Sequence, residues 1–140
     1  MYQHSSVARD LLTKVLGALG AETVALGRSD VFVPVDTEAL RPDDIRLLSE
    51  WAKQDQFDAI VSTDGDADRP LIADEHGNFV RGDLVGAITS AWVGADVIVT
   101  PVTSNAALEE CGKFNRVLRT LHRNCAAMSK LPAELRPVNY

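Results

Sequence analysis

Apolar positions recur with two different periods along the chain. In "SSVARDLLTKVLGALGA" (5–21), Val7, Leu11, Leu12, Val15, Leu16 and Leu19 fall three or four apart, the stripe of an amphipathic helix. Ser5 or Ser6 is placed to cap it, and Gly20 stands where it should stop. "PDDIRLLSEWAKQ" (42–54) repeats the helical pattern, with Pro42 suited to the first helical position and Asp43 and Asp44 to the first turn. Between them, "ETVALG" (22–27) predicts a short strand, and "RSDVFVPVDTEALRP" (28–42) a loop with two prolines. "FDAIVST" (57–63) is a buried-strand run, and "PLIADEHGNFVRG" (70–82) a hairpin turning at His76-Gly77-Asn78. Beyond it, Asp83 is a cap for the helix "LVGAITSAWVGA" (84–95), followed by the strand "DVIVTPV" (96–102). A short helix in "SNAALEECG" (104–112) and a strand "FNRVLRT" (114–120) complete the pattern, which dissolves after Thr120. Helices alternate with strands, so the fold class is α/β, although the chain opens on a helix where such folds usually open on a strand.

Composition narrows the function. The 140 residues are 46% hydrophobic and 24% charged, enough for a domain with its own core. A formal net charge of −6 argues against nucleic-acid binding, which needs a basic face. No apolar run is long enough to span a membrane, and "MYQHSSVARD" carries no secretion signature. Cys111 and Cys125 form neither a metal pattern nor a disulfide framework and read as reduced thiols of a cytoplasmic protein.

The chemistry concentrates in "STDGDADRP" (62–70). Asp64, Asp66 and Asp68 crowd three like charges just after a buried strand, and Arg69 follows at once. Carboxylates this close must take up protons, spread into water or share a cation. The C-terminal end of a strand is where α/β sheets place ligand crevices, and oxygen ligands at alternate positions suit a hard divalent ion, Mg²⁺ or Ca²⁺. Arg69 is no ligand, but its fork can hold a carboxylate or a phosphate oxygen. An EF-hand register also fits in part, with Asp64, Asp66, Asp68 and Glu75 at positions one, three, five and twelve. Arg69 then replaces the required glycine at position six, and strands flank the loop instead of helices.

The hexapeptide Asp64-Gly65-Asp66-Ala67-Asp68-Arg69 resembles the metal loop D-G-D-G/A-D-R of the α-D-phosphohexomutases, the phosphomannomutases and phosphoglucomutases. The following Asp74-Glu75-His76-Gly77 and Gly82-Asp83 resemble the family's "D-x-x-G…G-D", and "TPVTSNAALE" (100–109) the opening of its third domain. "YQHSSVARDLL" (2–12) resembles the second domain just after its first strand. The resemblance implies a three-layer α/β/α domain with a mixed sheet, truncated at its first strand, over residues 1–95. It places the start of a third domain at 96–120 and leaves 121–140 unassigned. It makes Asp64, Asp66 and Asp68 the ligands of Mg²⁺, with Mn²⁺ a substitute, and gives Arg69 the role of orienting phosphate or substrate. The implied reaction interconverts hexose 1-phosphate and 6-phosphate through a phosphoserine of the first domain.

These 140 residues hold no "T-A-S-H-N-P"-like segment, so the serine that would carry the phosphoryl group is missing and the expectation is a chain inactive alone. The rival expectations are a non-catalytic metal-binding module and a calcium-stabilised structural domain. A truncated sheet edge raises a homodimer through edge pairing. The remaining features read structurally: "RGD" (81–83) as a turn into the Asp83 cap, His4-Ser5-Ser6 and Thr103-Ser104-Asn105 as helix caps, His76 as a turn residue, Trp51 and Trp92 as core, and "RTLHR" (119–123) as basic surface.

Overall fold

The computed structural model describes residues 1–121; His122, Cys125 and the rest of the unassigned tail lie outside the described residues. The chain forms two compact units, Met1–Gly82 and a second beginning at Asp83. The elements are α1 (Arg9–Ala18), α2 (Pro42–Gln54), β1 (Ile60–Thr63), β2 (Pro70–Ala73), β3 (Phe79–Val80), α3 (Gly82–Trp92), β4 (Val97–Pro101), α4 (Ala107–Glu110) and β5 (Arg116–Thr120).

In the first unit β1, β2 and β3 form an antiparallel meander. Ile60 stands opposite Ala73 and Ser62 opposite Leu71, which puts these four side chains on one face. All four are buried. Leu48 of α2, Tyr2 and Val35 close over the face, with Trp51, Ala52 and Phe79 packed around them. Asp44, Leu48, Trp51 and Ala52 recur at helical spacing, so α2 turns one face to the sheet. That face includes Asp44, placed by its sequence in the first turn but also buried. Its charge is met by a two-pronged pair with Arg41, at 2.7 and 2.8 Å. Val61 points to the other face, where it shares a cleft with Leu16 of α1. Helices thus cover both faces, the expected α/β/α layering.

What precedes α1 is the extended segment Met1–His4. Tyr2 N–H donates to Val61 O at 3.0 Å, while Gln3 N–H donates to Leu26 O and Leu26 N–H to Met1 O on its other side. The segment therefore runs parallel to residue 26 and is hydrogen-bonded to β1 at Tyr2, so a parallel bridge accompanies the antiparallel meander. "ETVALG" yields only the isolated bridge Leu26–Tyr2, not the expected strand. α1 ends as predicted, with Gly20 at φ +91° and Ala21 N–H closing back on Leu16 O. Its stripe divides: Leu12 and Leu16 are half-buried, whereas Val7, Leu11, Val15 and Leu19 stand exposed.

In the second unit β4 and β5 pair in parallel, Val97 opposite Arg116 through Pro101 opposite Thr120. Asp83, expected as the cap of α3, lies in its first turn; its carboxylate accepts the N–H of Leu84 and, at 2.8 Å, that of Asn105. Trp92, expected in the core, is 88% exposed at the end of α3. Arg119 is no free surface charge. It grips Glu109 with two bonds and donates to the carbonyls of Pro101, Ser104 and Asn105. Among the described residues no helix is long and apolar enough to cross a membrane.

The β2–β3 turn generates a prediction. Gly77 has φ +76°, and a Cβ there would lie 2.5 Å from Leu48 O and 2.7 Å from the Cα of Ser49. Both contacts are backbone of α2, which cannot swing aside. Gly77→Ala combines left-handed strain with this clash and should destabilise the chain by about 2 kcal/mol or more in urea unfolding. A loss below about 0.5 kcal/mol would show that the turn is free to lift off α2.

Candidate metal centre

The three aspartates leave β1 in a loop that closes on itself. Asp64 N–H donates to Arg69 O at 3.1 Å, Ala67 N–H to Asp64 O at 3.3 Å, and Arg69 N–H to Asp64 Oδ1 at 3.2 Å. Ala67 sits at φ +66°, the left-handed region that favours glycine. The alternate small residues are therefore not equivalent: position 67 makes the turn. The result is convergence. One carboxylate oxygen from each of Asp64, Asp66 and Asp68 lies within 4.8 Å of the others.

Their surroundings differ. Asp64 is 2% exposed, whereas Asp66 and Asp68 face solvent. Arg69 leans over the group with Nε 2.6 Å from Asp64 Oδ2 and 3.2 Å from Asp68 Oδ1. The Nε hydrogen is directed at Asp68, so the short approach to Asp64 Oδ2 is a contact of charges without a donated hydrogen. Asp64 Oδ2 is thus a buried carboxylate oxygen that accepts no hydrogen bond. Burial pushes the Asp64 carboxyl up, but the Arg69 backbone N–H and guanidinium together outweigh it and hold the group below the ordinary carboxylate value. The same contacts raise Arg69, against its own desolvation.

Two residues that the sequence reading passed over join the site. Arg69 Nη1 lies 3.8 Å from Asp36 Oδ1 and 3.5 Å from Glu38 Oε1. No local spacing marks them, because they reach the loop from the other side of α2 in the chain. Four carboxylates, Asp36, Glu38, Asp64 and Asp68, then lie within 4 Å of one guanidinium, and Asp66 stands beside Asp64 and Asp68. The donor set is all oxygen and net negative, and it carries one buried oxygen that is ion-paired to Arg69 but accepts no hydrogen bond. It fits a hard divalent cation held by Asp64, Asp66 and Asp68. The EF-hand register does not form: a strand precedes the loop, and Pro70 opens β2 directly after Arg69.

The serines expected to cap α1 do something else. Ser5 Oγ accepts the N–H of Val33 at 2.8 Å. Ser6 Oγ lies 2.6 Å from Thr63 Oγ1, and α1 has no side-chain cap. His4 is wholly buried, with Nε2 2.7 Å from Thr63 O.

Acid should undo this arrangement. A carboxyl held low in the fold contributes stability that is present above its unfolded value, 3.8 for Asp64, and lost as the pH falls through the folded one. Asp74 behaves alike: the Asn78 amide and the backbone N–H groups of Asn78 and His76 hold it low and fasten the hairpin turn. Thermal midpoints should fall as the pH drops below about 4. Asp64→Asn should flatten that acid limb; an unchanged slope would remove Asp64 from the balance.

Comparison with known proteins agrees with this geometry. Residues 1–77 match the family model described as phosphoglucomutase/phosphomannomutase, alpha/beta/alpha domain II. A phosphomannomutase of Sinorhizobium fredii is 55% identical over 109 residues, covering 78% of this chain and 23% of that protein. One of Salmonella muenchen is 50% identical over 120 residues, covering 86% and 25%. A phosphoglucosamine mutase of Afipia carboxidovorans is 31% identical over 113 residues, covering 75% and 25%. The chain spans about a quarter of the length of these relatives. With the family model matched over more than half its residues, the chain belongs to the phosphoglucomutase/phosphomannomutase family.

Proposed function

We propose that this chain is the metal-binding part of a cytoplasmic phosphohexomutase, which interconverts hexose 1-phosphate and 6-phosphate by transfer through a phosphoserine lying outside these residues. The observation that carries the reading is the convergence of Asp64, Asp66 and Asp68, with Asp64 buried and one of its oxygens accepting no hydrogen bond. On this reading residues 1–95 form the metal-bearing domain and 96–120 open the next. A divalent ion bound there, Mg²⁺ or in its place Mn²⁺, would neutralise charge spread over the transferring phosphoryl oxygens. Asp64, buried and fixed by the Arg69 backbone, holds the inner side of the site. Asp66 and Asp68 bring the charge to the solvent face. Arg69, flanked by Asp36 and Glu38, keeps its guanidinium at the loop, where it can turn from carboxylate to an incoming phosphate oxygen. The relatives named phosphomannomutase share 50 and 55% of their matched residues with this chain, against 31% for the phosphoglucosamine mutase, which favours a mannose phosphate.

Calorimetric titration with Mg²⁺, Mn²⁺ and Ca²⁺ tests the site. Mg²⁺ and Mn²⁺ should bind and raise the thermal midpoint, and Asp66→Asn, altering an exposed side chain, should abolish both effects without unfolding the chain. Tight Ca²⁺-selective binding would replace the mutase reading by a calcium-stabilised domain, and no binding of any ion would defeat it. A coupled assay with catalytic sugar bisphosphate should give no turnover from these 140 residues alone; measurable turnover would place the phosphoryl-carrying group within them.

A further inference from the structure

The aspartate loop leaves a strand end held from outside the loop by one short segment. Three consecutive carbonyls, of Thr63, Asp64 and Gly65, are engaged around residues 4–7. His4 Nε2 lies 2.7 Å from Thr63 O, and a carbonyl can only accept, so Nε2 carries the hydrogen. Thr63 Oγ1 donates to Asp64 O at 2.9 Å. That hydroxyl's hydrogen is thereby committed, so at the 2.6 Å contact Ser6 Oγ donates to Thr63 Oγ1, while Ser6 Oγ itself accepts Ala8 N–H. Val7 N–H donates to Gly65 O at 3.0 Å. The first two anchors are side chains, and therefore a choice of sequence.

His4 is an unusual residue for this place. It is wholly buried, and with Nε2–H spent on Thr63 its Nδ1 accepts nothing. A buried polar atom without a partner is a cost that an apolar residue would avoid. The ring also stacks obliquely on Tyr2, with centroids 4.9 Å apart, which fixes its orientation. What the ring supplies in return is the donor to Thr63 O, one residue before Asp64.

We propose that His4 and Ser6 are positioning residues for the metal loop: through Thr63 they set where β1 ends and hence where Asp64 stands relative to Asp66 and Asp68. The inference rests on the metal reading above for its consequence, but the positioning itself can be read without metal. Groups that orient ligands from behind commonly change metal affinity by about 10–100-fold when removed.

The test uses His4→Ala, His4→Gln and Ser6→Ala in the full 140-residue chain. Glutamine can place an amide N–H near the position of Nε2, alanine cannot. Mn²⁺ affinity should fall about tenfold in His4→Ala and Ser6→Ala and recover to within about threefold of the parent in His4→Gln. Amide NMR spectra recorded in chelator should show the signals of residues 64–69 shifted in His4→Ala and restored in His4→Gln. His4→Ala leaves a cavity, so Ser6→Ala, which removes one oxygen, keeps the test open if the larger change unfolds the chain. Parental loop signals and parental affinity in Ser6→Ala and His4→Ala would overturn the inference. So would His4→Gln matching His4→Ala, since the ring would then act by volume alone. If the parent binds no Mn²⁺ while its loop signals still depend on His4, the metal reading fails and the positioning stands.

Discussion

A carboxylate removed from water must be met by positive charge, and Asp64 is the carboxylate on which this site turns. Its solvation is replaced by one backbone N–H and a guanidinium, both from Arg69. That replacement is incomplete, because Oδ2 is approached without receiving a hydrogen. The residues around it follow from the same constraint. Arg69 is held down by Asp36 and Glu38 from a distant loop, and the loop must turn tightly enough to bring Asp66 and Asp68 alongside. The left-handed Ala67 is the local cost of that turn.

Much of the fold was legible because it is written in local periods. α2 begins at Pro42, the hairpin turns at Gly77 and α1 stops at Gly20, each where a residue with one conformational preference stands. β4 follows from a continuous apolar run. The site was legible for the same reason: the three aspartates and the arginine are four residues of one six-residue stretch, so local spacing marks them. Local spacing could not say which side of a stripe is covered. α1 was read as one apolar face, yet Val7, Leu11, Val15 and Leu19 are exposed while Leu12 and Leu16 are not. Trp92 illustrates the same gap, since an aromatic residue at helical spacing carries no mark of the surface that would receive it.

The polar residues were the harder part. Ser5, Ser6 and Asp83 all stand where a cap belongs, and each is hydrogen-bonded to a partner far along the chain: Val33, Thr63 and Asn105. A capping site and a long-range anchor draw on the same residue types, because both ask only for a short side chain with an acceptor. Asp36 and Glu38 were invisible, and His4 was read as part of a cap, for a related reason. Each acts on the loop through tertiary contact, and none lies at a spacing that any local rule reads.

The bedding of the loop also bears on when the site forms. The carboxylates are neighbours, yet the contacts that seat them join residues 57 and 59 positions apart. Chain entropy must be overcome across that span before the contacts repay it. A stretch of sequence that looks self-sufficient is therefore a late structure: until the opening residues have docked alongside β1, the three aspartates are only a charged turn, and a cation bound there would report that the whole first unit has assembled.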